Sequence, residues 1–145
     1  VFFADSFLTP FTAFLTTLGV VIAAWGGVML ADIALRRKDY DEPSLFTPSG
    51  RYGSVNWGAV ASLIVGSLVG WGLVVNANAS WLSWQGYLLG PLGGREGDWA
   101  GANIGILLAM VVGFVGYWLT SAGRVRTQEK LASRTYAQGV EEGER

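Results

Sequence analysis

The chain has 145 residues, a formal net charge of −1, no cysteine and no histidine. The missing residue types exclude disulfides and thiolate or imidazole metal sites, and the balanced charge indicates no nucleic-acid partner. Charged residues are absent from three long stretches: residues 6–31, 52–94 and 99–123. Because a membrane helix needs roughly 20 apolar residues, each stretch has room for one. The sequence therefore predicts an all-α membrane protein with three transmembrane helices.

The first helix is predicted over about residues 9–35. Thr9 as N-cap and Pro10 at the first helical position favour a start there. Near its end, Asp32 precedes Arg36 by four residues, an order that favours an ion pair on a helix. We interpret the two as an ion pair at the membrane interface. A role in gating or cation coupling stays open, because ionisable groups at membrane depth are often functional.

The second helix is predicted over about residues 56–75, with Asn56 as its N-cap. A polar loop with prolines and glycines separates it from the first helix. The segment 76–98 that follows is rich in tryptophan and leucine. We interpret this segment as a short interfacial helix, ended by the Gly90-Pro91 pair. A re-entrant loop shielded by protein is the alternative.

The third helix is predicted over about residues 99–122. Asp98 supplies an N-cap, and Gly123 supplies a C-terminal stop. Residues 124–145 form a charged tail, which we expect to be disordered after Tyr136. The whole chain, 1–145, is interpreted as a single transmembrane unit.

The ten basic residues predict the orientation. Four lie between residues 36 and 56, one (Arg95) between 76 and 98, and five after residue 123. By the positive-inside rule the first helix runs from the outside to the cytoplasm, and the C-terminus is cytoplasmic. We expect an integral protein of the plasma (inner) membrane, surrounded by membrane lipids.

Small residues recur at four-residue spacing in all three predicted helices. This spacing keeps each set on one helix face, where small residues let two helices approach closely. The chain has 21 glycines, so that some of these pairs would also arise by chance. The predicted helix-packing glycines are Gly19, Gly27, Gly58, Gly66, Gly70, Gly101, Gly105 and Gly113.

Catalytic motifs are absent from the sequence. The glycine-rich segment around Arg95 lacks the lysine and the following helix of a phosphate-binding loop. No serine has a neighbouring base, and without histidine or cysteine there is no metal-ligand cluster. We therefore predict no enzyme, no catalytic residues and no metal. The chain begins with Val1 and is apolar at once, which we interpret as a piece of a longer protein.

Several motifs in the first two predicted helices form a recognisable combination. The first helix starts with the aromatic residues Phe11 and Phe14 and contains the sequence GVMLAD at 27–32. A basic turn with Tyr40 follows, and GRYGSVNW at 50–57 leads into the second helix. Together these features resemble the C-terminal part of the nucleobase–cation symporter family, which includes cytosine, purine, uracil, allantoin and thiamine permeases.

This resemblance implies an architecture similar to the leucine transporter, with ten core helices followed by two more. The three helices here would be the last three of twelve. The substrate and coupling-cation sites of such folds lie on other helices, so no cofactor is expected in this chain, and sodium or proton would bind elsewhere. In the family the outer half of the tenth helix is an extracellular gate. Phe11, Phe14 and Leu15 share a face there and are the gate candidates.

The leading functional hypothesis is thus part of a secondary active transporter that imports a nucleobase or related heterocycle with a cation. Its partners would be the remaining helices of the transporter and, in the full-length protein, a nucleobase-like small molecule. The alternative is a small non-catalytic membrane subunit that packs against larger partners. Three helices with small-residue faces would suit either function.

Overall fold

The computed structural model describes residues 2–36, 55–76 and 79–143, and it has three α-helices in these ranges. Between the second and third lie short 3₁₀ helices. The polar loop predicted after the first helix, with Arg37, Lys38 and Tyr40, lies outside the described residues. The α-helices are α1 (Phe2–Leu35), α2 (Trp57–Gly72) and α3 (Ile104–Gly143).

Helix α1 begins at Phe2, seven residues before the predicted start. Thr9 is therefore not an N-cap, and Pro10 lies inside the helix. A proline removes only one backbone hydrogen bond, although it also crowds the preceding turn. Apolar helices in membranes tolerate this loss better than soluble ones. The predicted end is correct, because the helix stops at Leu35.

Helix α2 starts as predicted. The Asn56 side chain accepts hydrogen bonds from the backbone N–H groups of Gly58 (3.2 Å) and Ala59 (3.4 Å). The helix ends at Gly72, three residues earlier than predicted. Its 16 residues span roughly 24 Å at 1.5 Å per residue, which is shorter than a typical hydrocarbon core.

The segment between α2 and α3 is not the predicted interfacial helix. It is a chain of turns with 3₁₀ helices at Ser80–Leu82, Gly90–Leu92, Gly94–Glu96 and Ala100–Ala102. The N–H groups of Gly86 and Leu88 donate to the carbonyls of Trp71 (3.0 Å) and Gly72 (2.8 Å), which folds the segment back onto the end of α2. Gly86 has φ +78°, a left-handed conformation that interrupts a helix and suits glycine.

Helix α3 begins later and ends later than predicted. Asp98 does not cap it, because the 3₁₀ helix Ala100–Ala102 and a left-handed Asn103 (φ 49°) come first. Gly123 does not stop it, and the helix continues to Gly143 through the segment expected to be disordered. Val125 is buried beyond Gly123, so tertiary packing there outweighs the glycine stop signal.

The three helices form a bundle in which α1 and α2 both pack against α3. The centre of the core consists of four residues with no exposed surface, which come from α1, α3 and the segment just after α2. They are Val20, Ala24, Val74 and Ala109. Two of the four are alanines, so the helices approach one another closely at this level.

Candidate functional site

The closest approaches between helices occur at glycines. A Cβ atom at Gly27 of α1 would overlap the backbone carbonyl of Met110 in α3. A Cβ at Gly113 of α3 would overlap the carbonyl of Ala24. Both contacts join α1 to α3 through backbone atoms, which cannot move aside as a side chain can.

The same kind of contact joins α2 to α3. A Cβ at Gly105 would overlap the carbonyl of Gly70, and one at Gly66 would lie 2.9 Å from the carbonyl oxygen of Ala109. A Cβ at Gly58, near the start of α2, would lie 2.9 Å from the Ser121 hydroxyl.

Two predicted packing glycines are not in close contacts. A Cβ at Gly19 would have Ile106 Cδ1 as its nearest neighbour, at 3.9 Å, which is an ordinary van der Waals distance. Gly101 lies outside α3 in a 3₁₀ helix, and a Cβ there would meet nothing within 4 Å.

The gate candidates share an exposed face of α1. Phe11, Phe14 and Leu15 are each between 43% and 49% exposed. Phe11 stacks on Phe7, with ring centroids 5.4 Å apart. None of the three belongs to the hydrophobic core clusters of the described residues. They are therefore available to lipid or to other protein.

A group of polar residues joins all three helices at the end of the bundle where α1 stops. We call it the polar cluster. Arg36 Nε donates to Asp32 Oδ2 at 2.9 Å, which forms the predicted ion pair, and Arg36 Nη1 donates to Gln128 at 3.4 Å. The Tyr117 hydroxyl donates to Asp32 Oδ1. The members of the polar cluster are Asp32, Arg36, Asn56, Tyr117, Ser121 and Gln128.

Asn56 connects α2 to this cluster. Its Nδ2 donates to the Tyr117 hydroxyl at 3.4 Å and approaches Ser121 Oγ at 3.5 Å, while its Oδ1 caps α2. Tyr117, Ser121 and Gln128 are all buried. Since hydrogen bonds to charged groups are stronger than neutral ones, Asp32 is the strongest acceptor in the cluster.

A second group, which contains no charge, joins the helices about 15 residues earlier along α1. We call it the glutamine clasp: Thr17, Trp71, Asn76 and Gln85. The buried Gln85 side chain donates to Thr17 Oγ1 at 3.1 Å and accepts from Asn76 Nδ2 at 2.6 Å. Trp71 Nε1 donates to the Thr17 carbonyl at 3.0 Å. The clasp ties the turn segment to α1.

Next to the clasp is a cavity of about 400 Å³, lined on one side by α1. Its polar lining is uncharged and would suit water or a neutral hydrogen-bonding molecule. The polar residues are Thr9, Thr12, Thr16, Asn76 and Asn103. The three threonines lie on the face of α1 opposite the gate candidates, and the two asparagines lie outside α1.

The sequence interpretation missed half of the polar cluster and all of the glutamine clasp. A signal was present in α3, where the polar residues Tyr117, Ser121 and Gln128 recur at spacings of four and seven, on one helix face. No comparable signal exists for Gln85, because its partner Thr17 lies 68 residues away in the sequence and its partner Asn76 does not share a regular helix with it.

These features are consistent with a helical membrane protein. Two helical segments, Phe7–Leu35 and Ile104–Leu131, are long and apolar enough to cross a bilayer, and α2 is a shorter apolar helix between them. Among the described residues no group of acidic residues could hold a metal ion.

The family model for permeases for cytosine/purines, uracil, thiamine and allantoin matches residues 3–90, which is more than half of the chain. The chain belongs to this family, and this membership confirms the resemblance seen in the sequence. It is therefore a transporter of the nucleobase and related permease group, which points to a non-enzymatic role. Neither the curated proteins nor the solved structures gave a match.

Proposed function

We propose that this chain forms the last three membrane helices of a secondary active transporter that imports a nucleobase or related heterocycle together with a cation. The observation that carries the proposal is the family match over residues 3–90. The match includes α1, α2 and most of the turn segment that connects α2 to α3. In this proposal the substrate and cation sites lie on the remaining helices, in a leucine-transporter-like arrangement.

The contribution of this chain to transport is the first half of α1. Phe11, Phe14 and Leu15 form a bulky apolar surface that can close over a substrate by contact alone, without an ion pair that must be broken on opening. Behind them, the cavity of about 400 Å³ leaves the opposite face of α1 loosely packed. Below them, Thr17 is held by the glutamine clasp. The gate segment is therefore the part of α1 before Thr17.

The remaining part of the proposal is the orientation. The polar cluster lies at the cytoplasmic surface of the membrane, the C-terminal end of α3 lies in the cytoplasm, and the turn segment that contains Ser83 lies outside the plasma membrane. The exposed tryptophans Trp81 and Trp84 suit the headgroup level on that outer side.

Uptake by the complete permease tests the transport function. The protein is reconstituted in liposomes, a sodium or proton gradient is imposed, and uptake of radiolabelled cytosine, adenine, uracil, allantoin and thiamine is measured. We expect saturable uptake of at least one compound that disappears when the gradient is dissipated. Uptake no greater than in empty liposomes, for every compound and both gradients, would contradict the proposal.

Alanine variants test the gate. Phe11→Ala, Phe14→Ala and Leu15→Ala are compared with Ile33→Ala, an exposed residue of α1 far from the proposed gate. At least one gate variant should accept bulkier substrates or show a raised KM at unchanged expression, while Ile33→Ala behaves like the parent. If all four variants match the parent, the gate lies elsewhere.

Cysteine labelling tests the orientation, because the chain has no cysteine of its own. Ser83 and Thr127 are both exposed and lie on opposite sides of the proposed membrane. In intact cells an impermeant thiol reagent should label Ser83→Cys and leave Thr127→Cys unlabelled until the cells are opened. The reverse pattern would invert the proposed topology.

A further inference from the structure

A second cavity, of about 250 Å³, lies beside the polar cluster in a groove between α1 and the start of α2. We call it the interfacial groove. One wall is apolar and belongs to α1, and the end of the groove is polar. The apolar wall consists of Trp25, Val28 and Met29, and the polar end consists of Asp32, Arg36, Asn56 and Tyr117 of α3.

Polarity changes in one direction along this groove. Trp25 and Arg36 are separated by roughly 16 Å along the axis of α1, at 1.5 Å per residue. Over this distance the side chains that line the groove change from apolar to charged. Trp25 and Met29 are both about half exposed, so the apolar wall is open at the side of the bundle. Because α1 is a membrane-spanning segment that ends at Leu35, the charged end lies near the membrane surface. A phospholipid has the same gradient, from acyl chain to headgroup.

The charges at the polar end identify the headgroup. The Asp32 carboxylate and the Arg36 guanidinium lie side by side, 2.9 Å apart, and their side chains keep 16% and 13% of their surface exposed. A headgroup with one positive and one negative group can lie antiparallel to this pair. A purely anionic headgroup would be repelled by the negatively charged Asp32 carboxylate.

The positive group of the headgroup needs N–H donors. A primary ammonium can donate hydrogen bonds to Asp32, whereas a quaternary ammonium has none to donate and would depend on an aromatic ring. Two aromatic residues line the groove. Trp25 lies seven residues before Asp32 and therefore at the depth of the acyl chain, and Tyr117 lies beside Asp32 but is buried and directs its hydroxyl to the carboxylate, so its ring face is not open to a headgroup. The groove thus favours an aminoethyl phosphate headgroup over a choline headgroup.

We propose that the interfacial groove binds one phospholipid with a phosphoethanolamine headgroup. The ammonium lies against Asp32, the phosphate lies on the Arg36 side, and one acyl chain follows Met29, Val28 and Trp25. The proposal rests on the membrane location of the chain and not on the transported substrate, so it stands or falls separately from the transport function.

Native mass spectrometry of the full chain, released from nanodiscs, tests this site. Phosphatidylethanolamine and phosphatidylcholine with identical acyl chains are supplied in equal amounts, and the retained lipids are counted. We expect phosphatidylethanolamine to be retained over phosphatidylcholine by roughly fivefold, the discrimination that one net hydrogen bond from the primary ammonium to a carboxylate can supply. Equal retention of the two lipids would overturn the proposal.

Matched variants locate the site. Met29→Trp fills the groove and should abolish the preference, whereas Ile33→Trp places the same side chain on α1 outside the groove lining and should preserve it. Asp32→Asn should also remove the preference. If Asp32→Asn fails to fold, Met29→Trp still tests the location of the site. Met29 is half exposed and outside the polar cluster, so we expect this variant to fold. A preference that survives Met29→Trp would place the lipid elsewhere and overturn the assignment.

Two further lipid conditions separate the alternatives. Phosphatidylglycerol that outcompetes phosphatidylethanolamine would indicate a site for anionic lipids and overturn the headgroup assignment. Free phosphoethanolamine that displaces the bound lipid at equal concentration would show that the acyl wall contributes nothing, and would overturn the assignment to a lipid. We expect neither result.

Discussion

The two faces of α1 differ in side-chain size and in what covers them. The packed face, Val20, Ala24, Gly27 and Ala31, is buried against α2 and α3. The open face carries Phe11, Phe14, Leu18, Ile22, Trp25 and Met29, and every one of these side chains is more than 40% exposed. On a helical wheel the two sets lie nearly opposite each other.

The separation of large and small side chains onto two faces follows from the lipid surroundings of a membrane helix. Lipid tails are as apolar as leucine, so bulky apolar groups gain little by facing another helix, while small residues gain dispersion contacts by letting backbones meet. The packed face therefore determines the structure of the bundle. The open face is left for lipid, for other helices of the permease, and for the substrate gate that we propose.

The largest expected effect is on the packed face, at Gly27. Gly27→Ala would place a methyl group on the Met110 carbonyl, and because this is a backbone contact the helices must separate. We expect a loss near the upper end of overpacking costs, about 3 kcal/mol, measured as the free energy of unfolding in detergent.

The neighbouring glycine supplies the control. A Cβ at Gly26 would meet nothing within 4 Å, so Gly26→Ala should be neutral or stabilising by up to about 1 kcal/mol, because alanine favours a helix. Equal destabilisation by both substitutions would mean that the loss reflects helix flexibility, and that the packed face is not specifically close-packed at Gly27.

Much of the fold was predictable because membrane helices have strong sequence signals. The uncharged stretches predicted the three helices. Asn56 predicted the start of α2, because an N-cap depends only on adjacent residues. Local signals failed where tertiary contacts compete with them. Pro10 did not begin α1, Gly123 did not end α3, and the aromatic segment before α3 is held in turns by backbone hydrogen bonds to the end of α2.

The candidate site was predictable only in part, for a related reason. Asp32 and Arg36 are four residues apart on one helix, so their ion pair could be inferred from spacing. The partners that connect them to the other helices, Tyr117 and Gln128, are more than 80 residues away in the sequence. Their approach depends on the crossing of α1 and α3, which a single sequence does not specify.

An intermediate effect is expected where the ion pair on α1 contacts α3. Tyr117→Phe removes the hydroxyl that donates to Asp32 and accepts from Asn56. Because Tyr117 is buried and its acceptor is charged, we expect a loss of about 1.5–2 kcal/mol in the free energy of unfolding. Tyr87→Phe is the matched control, since the Tyr87 hydroxyl donates to the Leu68 carbonyl at an exposed position. A larger loss for Tyr87→Phe would show that the polar cluster does not stabilise the contact between α1 and α3.

The smallest effect on the free energy of unfolding is expected at Ile22, in the middle of the open face. Its size shows whether other parts of the chain cover that face. Ile22→Ala in the 145-residue chain should change the free energy of unfolding by no more than about 0.5 kcal/mol, because the side chain is 61% exposed and loses few protein contacts.

Val20→Ala, two residues earlier on the packed face, is the control. It removes two methyl groups from a fully buried site and should cost about 1–2 kcal/mol, at about 0.8 kcal/mol per buried methylene. Equal costs in the 145-residue chain would mean that the open face is covered by the chain itself. Where further helices of the proposed permease cover Ile22, the cost of Ile22→Ala in the complete protein should rise toward that of Val20→Ala.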